Sequence, residues 1–427
     1  MRLLRLSAAA FVVLAAEPSF VLIDTAVVGH LGAVPLGALG IGGTLLSLVA
    51  MIGAFLDYGT TGRAARWFGA GQRDRAVDEG VTASVLALAL GVMAIGAGEL
   101  FAGPLIRLLA GGPNAVSAAA EAWFRVAVLG VPGILLVLAG NGWMRGVQDT
   151  RRPVRIVVLA NVLSAAASPI LVYPLGLGLR GSAIANVGAQ VVAGVLFVRA
   201  VRAERRPWKP RWSVLRGQLT AGRDLLLREA GFQAAFLTAA AVAARMGTAQ
   251  LAAHQIGLQL WVFTALLLDS FAIAAQSLVG AALGGGDARE ARRTAWQVAR
   301  YGLIAGIVFS ALLGAGWWLI PAAFTSSSSV QHQAHLLWPF FIALQPAAGV
   351  VFALDGVLIG AGDVGFLRTV TLISGVGIFV PITIAALHWH WGIGGVWAGL
   401  TAFIVARLIG MLVRTARGRW AVIGVAT

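Results

Sequence analysis

Twelve apolar runs, each about as long as a helix that crosses a bilayer, leave this 427-residue chain few ways to fold. They lie approximately at 6–31, 35–58, 78–100, 118–143, 153–175, 180–200, 223–245, 250–278, 294–317, 334–358, 366–387 and 391–413. Strands of a transmembrane barrel would alternate apolar and polar over about ten residues, whereas these runs stay apolar throughout. The predicted fold is an all-α polytopic membrane protein with twelve transmembrane helices. The first run is full length, with no small-residue cleavage site ahead of a soluble domain, so it is expected to be kept as the first span.

Charge supports the same reading. Only 11% of residues are charged, against about 25% in a soluble domain. The net charge of +15 would suggest a nucleic-acid partner in a soluble protein, but here position decides. With both termini inside, the inner loops hold Arg2, Arg5, Arg63, Arg66, Arg73, Arg75, Arg145, Arg151, Arg152, Arg155 and the cluster from Arg199 through Arg228. Arg289, Arg292, Arg293, Arg300, Arg368, Arg407, Arg414, Arg417 and Arg419 join them, and only Arg107, Arg125, Arg180 and Arg245 fall outside. That bias satisfies the positive-inside rule. The expectation is a multi-pass protein of the inner (plasma) membrane with both termini cytoplasmic, basic loops touching membrane lipids, and no nucleic-acid partner. The lack of cysteine excludes disulfides, thiolate metal sites and cysteine nucleophiles.

The chain also repeats itself. Glu17-Pro-Ser-Phe20, Gly32 to Gly42 and Gly69-Ala-Gly-Gln-Arg-Asp-Arg-Ala76 recur in order as Glu229-Ala-Gly-Phe232, Gly247 to Gly257 and Gly284-Gly-Gly-Asp-Ala-Arg-Glu-Ala291. Each half holds six spans, an even number, so both enter the membrane from the same side as two pseudo-symmetric six-helix bundles. The expected divisions are an amino-terminal lobe at 1–200, a basic cytoplasmic linker at 201–222 and a carboxy-terminal lobe at 223–427. Two complete lobes in one chain make a monomer sufficient. Such lobes can rock about a central cavity, and 55 glycines suit the close helix approach this needs.

Ionisable groups at bilayer depth are costly and become candidates for function. The first span carries Glu17 and Asp24, seven residues apart and so on one helix face about 10 Å from each other. Pro18, next to Glu17, removes a backbone donor and is a candidate hinge. A carboxylate in a cavity that gains and loses a proton is a workable coupling device. Other polar groups expected to line the cavity are Asn161, Ser168, Asn186, Gln190, Gln233, His254 and Gln255. Asn161 and Ser168 repeat the spacing of seven and could stand beside the first span. Asp57 and Asp269, near inner ends, are expected to pair with Arg63 or another loop arginine.

At the first span the sequence resembles a known family. Asp24-Thr-Ala-Val-Val-Gly-His-Leu-Gly32 is similar to the signature of multidrug and toxic compound extrusion (MATE) transporters, in particular the DinF subfamily within the MOP flippase superfamily. Gly59-Thr-Thr-Gly62, Gly69-Ala-Gly71, Gly142-Trp-Met-Arg-Gly-Val-Gln148, Asn161-Val-Leu163, Leu268-Asp269 and Leu354-Asp-Gly-Val-Leu-Ile-Gly-Ala361 follow in family order. The resemblance implies two six-helix bundles and export of small organic compounds in exchange for protons or sodium. It also implies that Asp24 is the coupling residue, with Asn161 near it. Two positions depart from the family. An acidic residue is usual before the proline of span five, where this chain has Ser168, so the partner of Asp24 is expected to be missing. Glu17 stands where an apolar residue is usual and is read as its substitute. Asp57 too stands where a basic or neutral residue is expected.

The expected activity is therefore antiport of cationic or amphiphilic compounds, with protons favoured over sodium, which wants several oxygens around it. No cofactor or metal is implied. A lipid-linked precursor flippase of the same superfamily is the nearest alternative. A membrane-embedded transferase is less favoured, since no His-Glu-x-x-His helix and no Ser-His-Asp arrangement occurs, and His332, His335, His388 and His390 lie in outer loops.

Overall fold

A computed structural model describes residues 2–425, and its described residues form helices and connections without a strand. In the first half α1 is Arg2–Gly29, α2 Ala33–Gly53, α3 Phe55–Gly69 and α4 Arg73–Leu109. There follow α5 Ala115–Ala127, α6 Val131–Gly146, α7 Arg151–Val172 and α8 Gly178–Arg202. In the second half α9 is Trp212–Met246, α10 Thr248–Gly284, α11 Ala288–Ala315, α12 Leu319–Phe324 and α13 Ser328–Gly360. The chain ends with α14 Val364–Leu372, α15 Val380–His388 and α16 Gly392–Arg417, a π-helical turn at Ile373–Phe379 joining α14 to α15.

Twelve of these helices or stacked helix pairs are long and apolar enough to cross a membrane, matching the twelve runs in the sequence. Several overshoot. The 37 residues of α4 and of α10 make rods of about 55 Å, because the helix continues into polar sequence such as Arg73-Asp74-Arg75 without a breaker.

The chain forms two compact units. One runs Val12–Gly222; the other joins the chain up to Phe11 with Arg223 onward. Residues 201–222, read from the sequence as a basic linker, fall in the first of these units. Acidic residues of α4 explain this. Arg73 binds Glu204 at 2.7 Å, Arg206 binds Asp74 and Asp78, and Arg211 binds Asp78 at 3.0 Å. The amide of Gln218 then reaches buried Glu79, which also holds Arg63. The linker is thus strapped down by ion pairs, and the Arg73 guanidinium holds the Glu204 carboxyl below the usual carboxylate range.

The repeated glycines prove to be turn residues. Gly32 and Gly247, each preceding the second helix of its half, have φ of 116° and 140°; Gly71 and Gly286, before the third, have 72° and 82°. A side chain is strained in such a backbone, so these landmarks recur at both sites. Other glycines bring helices together. A Cβ on Gly142 of α6 would lie 2.5 Å from the carbonyl oxygen of Asp57 on α3, and one on Gly146 would meet Ala64 at 2.6 Å.

Several arginines assigned to inner loops are partnered within the helices, three of them with Asp355 or Asp57. Arg407 of α16 is 2% exposed and binds both oxygens of Asp355 on α13, at 2.7 and 2.9 Å. Arg228 of α9 binds the same carboxylate at 3.0 Å, and the rings of Phe232 and Phe403 lie under the Arg407 guanidinium. In the first unit Arg145 of α6 binds Asp57 at 2.6 Å, so the partner of Asp57 is Arg145 and not Arg63. A rule about loops cannot tell an inward-facing arginine near a helix end from one that faces water.

Candidate functional site

Asp24 is buried on α1, and each of its oxygens accepts a hydroxyl hydrogen bond at 2.7 Å. Ser168 of α7 donates to Oδ1 and Ser182 of α8 to Oδ2. The indole N–H of Trp123 on α5 donates to the Ser182 oxygen at 3.4 Å. One turn beyond, the Tyr173 hydroxyl donates to the Val27 carbonyl at 2.6 Å. Local sequence sets these positions. Pro169 follows Ser168 and lacks the N–H that would bond the Ala165 carbonyl, a weak point in α7. Gly181 precedes Ser182, and a Cβ there would lie 2.7 Å from the Leu171 carbonyl carbon. Its bare backbone lets α8 close on α7 and brings Ser182 to the carboxylate.

Below Asp24 the first unit encloses a cavity of about 410 Å³. Glu17, Asn161, Asn186 and Gln190 line it with Asp24, and so do Asp57, Arg145, Asn141 and Ser164. Its apolar wall includes Val13, Phe20, Leu36 and Trp123. Among the lining residues the only guanidinium is that of Arg145, held by Asp57, and among the described residues neither Asp24 nor Glu17 forms an ion pair. Glu17 is exposed to the cavity, in contrast to Asp24.

The predicted residues therefore separate into two groups. Asp24, Glu17, Asn161, Asn186 and Gln190 share one cavity, and Ser168, fully buried, is bonded to Asp24. At the position on span five where an acid is usual, the Ser168 hydroxyl donates to the Asp24 carboxylate. Glu17, two turns away along α1, makes no hydrogen bond to it. Pro18 lies inside α1, which continues as helix through it. Gln233, His254 and Gln255 belong to the other unit and do not line this cavity. There Gln233 donates to Glu229 at 3.4 Å, buried His254 packs edge-on against Trp397, and Gln255 is exposed. Sequence reading missed Ser182, an isolated serine in a run of small residues, and Trp123, whose role depends on helix register alone.

Comparison with known proteins places the chain. The MatE family pattern matches residues 9–170 and again 226–384, once in each half. Protein DETOXIFICATION 44, chloroplastic, of Arabidopsis thaliana is 30% identical over 424 residues, covering 96% of this chain and 81% of its own. DNA damage-inducible protein F of Escherichia coli K12 is 32% identical over 410 residues, covering 91% and 86%. Among solved structures, the Vibrio cholerae MATE transporter VcmN in its bent form superposes with a TM-score of 0.89 at 20% identity, covering 98% of this chain and 96% of that one. With the family pattern in both halves and near full-length relatives at 30% identity and above, the chain belongs to the MatE family of multidrug and toxin efflux transporters.

Proposed function

We propose that this protein exports small organic cations across the inner membrane in exchange for protons, with Asp24 as the coupling carboxylate. The observation that carries the proposal is the setting of Asp24: a buried carboxylate at membrane depth, without a cationic partner, held by two serine hydroxyls at the end of a cavity. A serine hydroxyl can donate to the ionised carboxylate and, after rotating, accept from the protonated one. A sodium ion, which needs several oxygens around it, is the alternative that the second gradient of the test separates from a proton.

The duplication supports alternating access of the two six-span halves, and the arginine bias of the loops supports cytoplasmic termini. Two halves in one chain support a monomer as the working unit. The test is efflux of a fluorescent lipophilic cation from proteoliposomes, under a pH gradient and then a sodium gradient, for the native protein and Asp24→Asn. Efflux driven by the pH gradient and lost in the variant is the expected result. Equal efflux from the variant, or efflux driven by sodium alone, refutes the coupling role.

A further inference from the structure

The lower part of the cavity is built differently from its Asp24 end. Contacts Asp24–Ser168 and Val27–Tyr173 advance together along α1 and α7, so these helices run parallel. Seven residues back on both stand Glu17 and Asn161, about 10 Å below the Asp24 layer. Helix α8 returns after a short connection, so from Ser182 at Asp24 it descends through Asn186 to Gln190. A further turn down, Val13, Val157 and Ala193 share one buried apolar cluster, which fixes this register independently. Glu17 therefore faces a layer formed by Asn161 and Gln190, with Ser164 and Asn186 one turn above.

Two buried oxygens of this layer have no hydrogen-bond partner among the described residues, and a carboxylate faces them. Glu17 is exposed to the cavity and makes no ion pair among the described residues. One N–H of the Asn161 amide donates to the Val157 carbonyl of its own helix at 2.9 Å, and its Oδ1 remains an acceptor toward the cavity. Ser164 is 2% exposed, and its Oγ has no hydrogen-bond partner among the described residues; nor has Asn186 Oδ1. Three helices thus present oxygens, that of α1 a carboxylate, whereas Asp24 already receives a hydrogen bond on each oxygen. Buried acceptors are stabilised when a donor arrives and penalised when none does.

We infer that Glu17, with Asn161, Ser164 and Asn186, forms a subsite for the N–H groups of a protonated amine, and that it selects primary and secondary ammonium compounds over quaternary ones. A quaternary nitrogen carries the same charge but no N–H, so it would leave these oxygens unpaired. Discrimination through unpaired polar groups is strong compared with that by shape alone. Glu17 is then a substrate-binding carboxylate and Asp24 the proton-binding one. This division rests on the reading that the cavity receives the exported compound.

The experiment measures binding of 4-phenylbutylammonium and its N,N,N-trimethyl analogue to full-length protein in lipid nanodiscs, at one pH below the pKa of the amine, by calorimetry. The native protein is expected to bind the primary ammonium about tenfold tighter or more, the scale of one lost charge-assisted hydrogen bond. Glu17→Gln, close in shape to the native side chain, brings the ratio near one, and Asn161→Leu lowers it in a second, independent variant. Equal affinities in the native protein, an unchanged ratio in Glu17→Gln, or displacement of the amine by millimolar sodium chloride but not by choline chloride overturns the inference. Since the readout is binding, the native ratio and its change in Glu17→Gln bear on the subsite, and loss of gradient-driven efflux in Asp24→Asn bears on the coupling reading alone.

Discussion

Asp355 is the buried charge whose removal should cost most, because it is shared. It receives Arg407 on both oxygens at 2.7 and 2.9 Å and Arg228 at 3.0 Å, joining α16, α13 and α9. Asp355→Asn leaves two guanidiniums inside the helix bundle facing a neutral amide. Breaking a buried pair from one side costs about 3–5 kcal/mol, and here both cations lose their carboxylate, so the upper part of that range applies. Arg407→Met leaves Asp355 with Arg228, but forfeits the stacking on Phe232 and Phe403, with ring centres 4.8 and 5.7 Å from the guanidinium carbon. About 2–4 kcal/mol is expected for it. Joining Asp355→Leu to Arg407→Met removes both members of the closest pair, so the double variant should recover about 2 kcal/mol or more relative to the sum of its two single changes. Unfolding followed by tryptophan fluorescence in detergent, for native, single and double variants, closes this cycle. Additivity within about 0.5 kcal/mol, or an Asp355→Asn protein as stable as the native one, refutes the account of the cluster.

Two further outcomes follow from packing and from the strap. Gly142→Ala places a methyl 2.5 Å from the Asp57 carbonyl oxygen, a backbone atom that cannot rotate away, so α6 and α3 must separate. Overpacking of this kind costs about 1–3 kcal/mol, read as a lower unfolding midpoint, while the same change at Gly188, where nothing lies within 4 Å, should be nearly silent. Glu204 has its pKa lowered from the ordinary 4.5 by Arg73, so the stability it adds is present above that pH and is lost as pH falls through the folded value. The midpoint difference between native protein and Glu204→Gln should accordingly be constant above pH 5 and shrink below pH 4.5; a difference that grows with acidity contradicts the pairing.

The spans and the repeat were legible because their signals are local. A run of apolar residues is visible wherever it occurs, and Gly32, Gly247, Gly71 and Gly286 recur because each turn needs a left-handed residue. Asp24 was legible for a related reason, as an acid inside an apolar run. Its partners were not. Ser168 and Ser182 lie 144 and 158 residues away, and no spacing rule links them to α1. Arg145 and Arg407 were misplaced for the opposite reason. The positive-inside rule counts charges near span ends, and both lie close enough to an end to be counted although both face a buried aspartate. The linker was read from its cations; the acids that hold it, Asp74 and Asp78, lie on α4.

The two halves share one plan, and in both most of the buried acids are met by arginines. In the second unit the aspartates at 224, 355 and 363 all meet arginines of the same unit. Their charges are balanced by side chains that cannot leave, so nothing has to be imported to neutralise them. In the first unit Asp57 is balanced in the same manner by Arg145, but Asp24 meets hydroxyls and Glu17 faces the cavity. Burial of an unbalanced carboxylate is costly at membrane depth, and a permanent arginine would relieve that cost at once. On the function proposed above, Asp24 takes the proton and Glu17 the donor-bearing cation, two carboxylates on one face of a single helix that no arginine neutralises permanently.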